Sequence, residues 1–312
     1  MKMIELGRTG LEVSIAGLGC GGHSRLGLAY GNDESEAIRI VECAIDLGVN
    51  FIDTARVYGT ESVVGRAVKG KREELVLSTK SIVSRGGKQL TKVEVVDCLD
   101  KSLSKLQTDY IDVYNLHGVS AEDYPYCVNE IIPELLKQKE KGKIRFLGIT
   151  EQFISDPSHE MLKLALPDDY FDVVMVGFNM INPSARDCVF PLTIKNNVAT
   201  QIMFAVRRAL SKPDALAEVI DMLIENGDIE ASLVDAGTAL GFVEEHEEVE
   251  SIVQAAYRFC RHEPGATIVL TGTGSEDHLK QNIESILAGP LPVEITSRLS
   301  EIFGKVDSVS GN

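Results

Sequence analysis

Three apolar stretches each run into a titratable residue. NFID ends in Asp53, LVLSTK in Lys80 and YIDVYNLH in His117, and Tyr58 follows Asp53 by five positions. A tyrosine with an ordinary pKa of about 10 is a poor acid at neutral pH. A neighbouring ammonium stabilises the phenolate and pulls that pKa down. A carboxylate beside the lysine fixes its charge and position, and a histidine can hydrogen-bond a substrate oxygen and orient a carbonyl. Asp53, Tyr58, Lys80 and His117 together would donate a proton to an oxygen that gains negative charge, which is what hydride delivery to a carbonyl requires. Any one of the four alone also reads as a strand end meeting water; the four together fit the chemistry better.

Residues of that kind must be aimed by a rigid frame. Strands are expected at 13–19, 49–53, 75–80, 110–117, 144–150, 171–178, 198–205 and 266–272, and helices at 34–48, 62–70, 92–106, 128–142, 159–166, 214–227, 247–261 and 276–289, with a weaker helix at 184–195. Many of the strands are apolar on both faces, as in a parallel sheet covered by helices. In 34–48, Ala37, Ile38, Val41, Ala44 and Ile45 recur at helical spacing. Eight strand–helix units predict an α/β fold, a (β/α)₈ TIM barrel in a single domain over 1–312, with a frayed tail at about 307–312; an open doubly wound sheet is the rival. In such barrels the chemistry sits at the C-terminal ends of the strands. Asp53, Lys80 and His117 stand there.

The stretch NFIDTARVYG, the lysine closing LVLSTK and the histidine closing DYIDVYNLHG resemble the aldo-keto reductases, and the resemblance runs from LGRTGLEVSIAGLGCGG to TGTGSEDHLKQNI, nearly the whole chain. It implies Tyr58 as general acid/base, Lys80 as the group that tunes it, Asp53 as the partner of Lys80, and His117 as the group that orients the carbonyl. It also implies NADPH or NADH bound in extended form across the top of the barrel without a Rossmann fold. The activity implied is NAD(P)-dependent interconversion of an aldehyde, ketone or sugar with an alcohol. A cofactor-binding sensor or interaction subunit of the same fold, with little turnover, is the alternative.

GLGCGG (17–22) matches a dinucleotide-loop pattern, but the loop-like HSRLGLAYGND follows it where that motif needs a helix. Its glycines, Gly21 among them, are read instead as letting the first barrel loop pass close to cofactor or substrate. TGTGSED (271–277) stands between a strand and a helix, where backbone N–H groups bind phosphate. By resemblance Gly272, Thr273, Gly274, Ser275 and His278, with Gln281 and Asn282, hold the adenosine phosphate. Simple capping by Ser275 is the plainer reading. Arg207 or Arg208 could grip the pyrophosphate, with a surface arginine as the plainer reading, and Phe204 could stack on the nicotinamide or simply be a core residue. Two positions depart from the family: Thr150-Glu151 replaces the usual Ser-Asn, and Met175 replaces a usual glutamine, so the carboxamide is expected to meet an altered grip. Lys280 is the one firm cation in this segment, so the expectation leans to NAD or dual use over NADP.

The chain carries 31 Lys and Arg against 47 Asp and Glu, a formal net charge of −16. So acidic a surface repels nucleic acid and anionic lipid, and neither is expected as a partner. No stretch has the apolar length of a membrane span. The N-terminus lacks the apolar run of a signal peptide, so a cytoplasmic location is the default. The six cysteines are scattered without a CxxC pair, and no HxH or HExxH marks a metal site, so no metal is expected. The partner expected is a small-molecule carbonyl or alcohol. Oligomeric state is left open.

Overall fold

A computed structural model describes residues 1–234 and 238–312. Eight parallel strands close a barrel: β1 (Ala16–Gly19), β2 (Phe51–Asp53), β3 (Val76–Ile82), β4 (Ile111–Val119), β5 (Ile144–Glu151), β6 (Val173–Gly177), β7 (Ala199–Met203) and β8 (Ile268–Thr271). Each pairs with its neighbours in sequence order, and β8 returns to β1 through Val269↔Ala16, Leu270↔Gly17 and Thr271↔Leu18. All eight expected strands are present. The first is shorter than its sequence pattern, because Glu12–Ser14 pairs antiparallel with Met3–Glu5 in a hairpin. Leu6 and Val13 of that hairpin pack with Phe51, Val76, Val113, Val173, Ala199 and Ile268, so an apolar plug closes the lower end of the barrel. The opposite rim is left as the open end.

Amphipathic helices sheathe the strands. Glu34–Asp46 and Lys92–Leu106 each begin with a capping box, Asp33 with Glu36 and Thr91 with Glu94. In each, side chains satisfy two of the backbone donors that a helix start leaves unpaired. The weak helix at 184–195 is two short helices, Ala185–Cys188 and Phe190–Asn196. The expected helix over 247–261 starts only at Ile252, capped by Ser251, and the acidic run before it is solvent-facing apart from Val249 and the partly covered His246. The helix Val293–Phe303 was not anticipated, although its buried Ile295, Leu299, Ile302 and Phe303 recur at helical spacing. Among the described residues no helix is long and apolar enough to cross a membrane.

The expected fraying of 307–312 is corrected by the structure. Asn182 Nδ2 donates to Val309 O at 2.8 Å, Asn179 Nδ2 to Ser310 O at 3.1 Å, and the Ala209 amide to Gly311 O at 3.1 Å. Val309, Ser310 and Gly311 are buried. The same amides also donate to Phe204 O and Pro157 O, so the tail supplies each buried asparagine with a second acceptor.

Candidate active site

The tetrad converges at the open rim. Asp53 ends β2, Lys80 lies in β3 and His117 lies near the end of β4. A short 3₁₀ turn, Arg56–Tyr58, carries the phenol back over them and closes on Gly59 at φ 76°. The ladder between β4 and β5 shifts register between Leu116 and Val119, around Gly118 at φ 56°. Bulges of this kind re-aim a side chain next to an active site, and here the side chain is His117.

Lys80 Nζ donates to Asp53 Oδ2 at 2.5 Å and to Thr54 O at 2.8 Å, and Ser78 Oγ donates to Asp53 Oδ1 at 2.8 Å. Lys80 is 0% and Asp53 3% exposed. Lys80 Nζ lies 5.2 Å from the centroid of the Tyr58 ring, and the Tyr58 hydroxyl lies 3.3 Å from His117 Nε2. Desolvation, the largest single effect on Lys80, favours its neutral form, but Asp53 and Tyr58 outweigh it and hold the ammonium. For the coupled pair, that direction implies a charged Asp53 opposite a charged Lys80.

Burial pushes the Tyr58 phenol up, and Lys80 is the largest influence pulling it down. The lysine thus acts in the expected direction, but burial outweighs it and the phenol stays protonated. His117 is driven down to about 3 by burial and by Lys80, so it is a neutral imidazole at ordinary pH. Among the described residues its buried Nδ1 has no hydrogen-bond partner.

A cavity of about 770 Å³ opens on the tetrad, within the range of ligand pockets. Of the residues expected to hold a cofactor, Gly21, Met175, Phe204, Arg207, Gly272, Thr273, Gly274, Ser275 and His278 line it. Thr150, Glu151, Gln281 and Asn282 are not among the residues that line it. Thr150 Oγ1 accepts from the Gly118 amide at 2.7 Å. Glu151 turns away, accepting from the Gly177 amide at 2.7 Å and lying 2.9 Å from His159 Nδ1, with both side chains buried. Asn282 Nδ2 donates to Thr271 Oγ1 at 2.9 Å, and Gln281 is on the exposed side of its helix.

Glycine is required where the walls meet. A Cβ on Gly21 would stand 2.5 Å from the Tyr58 ring, and Cβ atoms on Gly272 and Gly274 would strike the backbone at Gly19 and Gly27. The Arg207 guanidinium lies 4.0 Å from the Phe204 ring centroid and has no carboxylate partner among the described residues. Phe204 itself is held at φ 66°, a costly conformation for a bulky residue. Arg208, the other arginine of the expected pair, also lines the cavity; Tyr30, Asn32, Lys212 and Tyr257 line it too and were not anticipated, although RRALSK advertised the lysine. Lys280 is not at the wall; it lies 3.7 Å from Asp277. Ser275 caps the helix Glu276–Leu287, as the plainer reading of that serine has it.

The aldo/keto reductase family model matches residues 18–303. The chain belongs to the aldo-keto reductase family. This aldo-keto reductase is similar to the uncharacterized oxidoreductase YqkF of Bacillus subtilis, 27% identical over 303 residues and 94% of each protein. Among solved structures it resembles aldo-keto reductase AKR11C1 from Bacillus halodurans in its holo form, with 26% identity over 99% of this chain and 98% of that one and a TM-score of 0.74. It is also 37% identical over 157 residues to an L-galactose dehydrogenase of Arabidopsis thaliana, a match that covers 48% of each protein. It is therefore an oxidoreductase acting on carbonyl and alcohol groups of small molecules with a nicotinamide cofactor.

The cavity fits such a cofactor. It is large enough for an extended dinucleotide and its glycines form a cradle that side chains would fill. Arg207 supplies a cation without an acidic partner among the described residues, and a helix N-terminus stands at Ser275.

Proposed function

We propose that the protein reduces an aldehyde, ketone or open-chain sugar to an alcohol, and catalyses the reverse, with Tyr58 as the proton donor and acceptor. The observation that carries this reading is the Tyr58 hydroxyl 3.3 Å from His117 Nε2, above a fully buried Lys80–Asp53 pair. The reduced nicotinamide, when bound, supplies the hydride. Tyr58 gives its proton to the carbonyl oxygen, and the phenolate it leaves is stabilised by the Lys80 ammonium. Asp53 keeps that ammonium charged and in place. His117 is neutral, so it can donate one N–H to the carbonyl oxygen without bringing a competing charge. Gly21, Gly272 and Gly274 would admit the cofactor backbone, Arg207 its pyrophosphate, and Phe204 and Met175 would line the nicotinamide end.

The cofactor reading is NAD or dual use. Against a 2′-phosphate stand Asp277 beside Lys280 and the absence of Lys or Arg at positions 274 and 278. In its favour stand Arg208, which is paired with Glu218 at 2.9 Å, and Lys212. The partial likeness to an L-galactose dehydrogenase makes aldoses the first substrates to assay. Calorimetric titration with NADH and with NADPH, followed by turnover of a panel of sugars and small aldehydes, tests the reading. The expected result is NADH binding with NADPH no more than a few-fold tighter, and turnover of at least one carbonyl. No binding of either cofactor refutes the reading.

A further inference from the structure

Asp53 is held from two sides, and only one of them is the lysine. On the other side a row of buried polar groups crosses the barrel interior from β5 to β2. Asn115 Nδ2 donates to Ser78 Oγ at 3.0 Å, and Ser78 Oγ donates to Asp53 Oδ1 at 2.8 Å. Asn115 and Ser78 are both 0% exposed. The row follows the ladder: Gly148 faces Asn115, Asn115 faces Lys80, and Ser78 faces Asp53. Gly148 is the piece that admits it, since a Cβ there would overlap the Asn115 amide oxygen. A glycine inside a strand marks a close approach of another group. An interior of this kind is ordinarily filled by branched apolar side chains, so three small or polar residues in line need a reason.

We infer that Ser78 and Asn115 are positioning residues that keep Asp53 ionised and correctly turned toward Lys80. The serine has one proton to give. Because Asn115 donates to the serine oxygen, that proton is directed at Asp53 and not elsewhere. Around Asp53 stand the Lys80 ammonium from β3, Cys20, whose amide donates to Asp53 O at 2.8 Å, and Tyr58 on its arm, while His117 flanks Lys80 from β4. Burial raises the Asp53 carboxyl, and the hydrogen bond from Ser78 opposes that rise. The inference rests on the proposed role of the tetrad, so its test includes a readout that does not depend on turnover.

Carbonyl reduction is followed against pH at saturating cofactor in the native protein and in Ser78→Ala, Asn115→Leu and Ser78→Thr. A hydrogen bond to a carboxylate corresponds to about one to two pH units. In Ser78→Ala the acid side of the profile is expected to move up by that amount, in Asn115→Leu by less, and in Ser78→Thr, which keeps the hydroxyl, to stay in place. NADH affinity by calorimetry should remain within about twofold, since neither residue lines the cavity. The Asp53 carboxyl band in infrared titration, assigned by difference against Asp53→Asn, should shift by the same amount. An unmoved acid limb and carboxyl band in Ser78→Ala overturn the inference. So does a pH-independent fall in rate accompanied by weaker NADH binding, the mark of a purely structural role. A native protein that turns over no carbonyl refutes the functional reading instead, and the infrared titration still decides this one.

Discussion

His117 and Tyr58 are both pushed toward their neutral forms, but only the histidine's shift crosses the physiological range. The imidazole is neutral at pH 7 in either case, but its fall from 6.5 to about 3 makes it a liability as the solution acidifies. The unfolded chain binds that proton below pH 6.5 and the folded one does not until about 3, so stability is lost as pH falls through this window. The contribution to the slope is up to about 1.4 kcal/mol per pH unit. His117→Gln is expected to flatten the dependence of the urea midpoint on pH between 6 and 4 relative to the native protein; an equal slope in the two would contradict the neutral, buried imidazole. For catalysis the same shift predicts no histidine step in the pH–rate profile between 5 and 8. Legibility at this scale was good for residue type and poor for direction. Thr150 and Glu151 could be located from the sequence, but not their bonds to the Gly118 amide and to His159 and Gly177, which come from other strands and loops. The net rise of the Tyr58 pKa depends on burial by loops distant in sequence, which no local pattern encodes.

The arm Ala55–Gly59 and the loop after β1 behave as one element, because Gly21 lies against the Tyr58 ring. Gly21→Ala should push the phenol off its position. A displacement of about 1 Å in a catalytic group costs roughly 10²-fold in rate, so turnover should fall by about that factor while the fold persists. Native-like rates in this variant would mean that the arm yields freely. At the other end of the chain, deletion of 308–312 removes one acceptor each from Asn179 and Asn182, which keep Phe204 O and Pro157 O, and uncovers the apolar surface that Val309 buries. Each lost hydrogen bond is worth about 0.5–1.5 kcal/mol, and the melting temperature should drop by a few degrees; an unchanged melting temperature would mean that the tail is not docked. The sequence showed the glycine but not the ring it meets, and it showed a polar tail without the asparagines that wait for it. Both contacts join segments far apart in the chain. The helix Val293–Phe303, by contrast, went unanticipated although its apolar spacing is local and marks it.

The whole molecule gives three adjacent strands a common rim, and this is why the tetrad could be read before the fold was known. Strand order fixes Asp53, Lys80 and His117 as neighbours once a barrel is assumed, and alternating strand and helix patterns make that assumption. The cavity wall was less legible, because it gathers residues from loops after β1, β7 and β8, and only the ladder brings those three together. An acidic molecule of net charge −16 that collects Arg207, Arg208 and Lys212 around one cavity is suited to draw in an anionic ligand. NADH affinity should therefore weaken as salt is raised from 0.05 to about 0.5 M, over which the screening length contracts severalfold. Salt-independent affinity would assign those cations no part in binding. The central claim is that Tyr58 moves the proton, and it is tested most directly by comparing Tyr58→Phe with the native protein in NADH binding and in single-turnover reduction of the best carbonyl substrate. General acid catalysis is worth about 10²–10⁴-fold. The account predicts that Tyr58→Phe binds NADH within a few-fold of the native affinity and loses reduction by at least that lower factor, whereas reduction within tenfold of the native rate would contradict it.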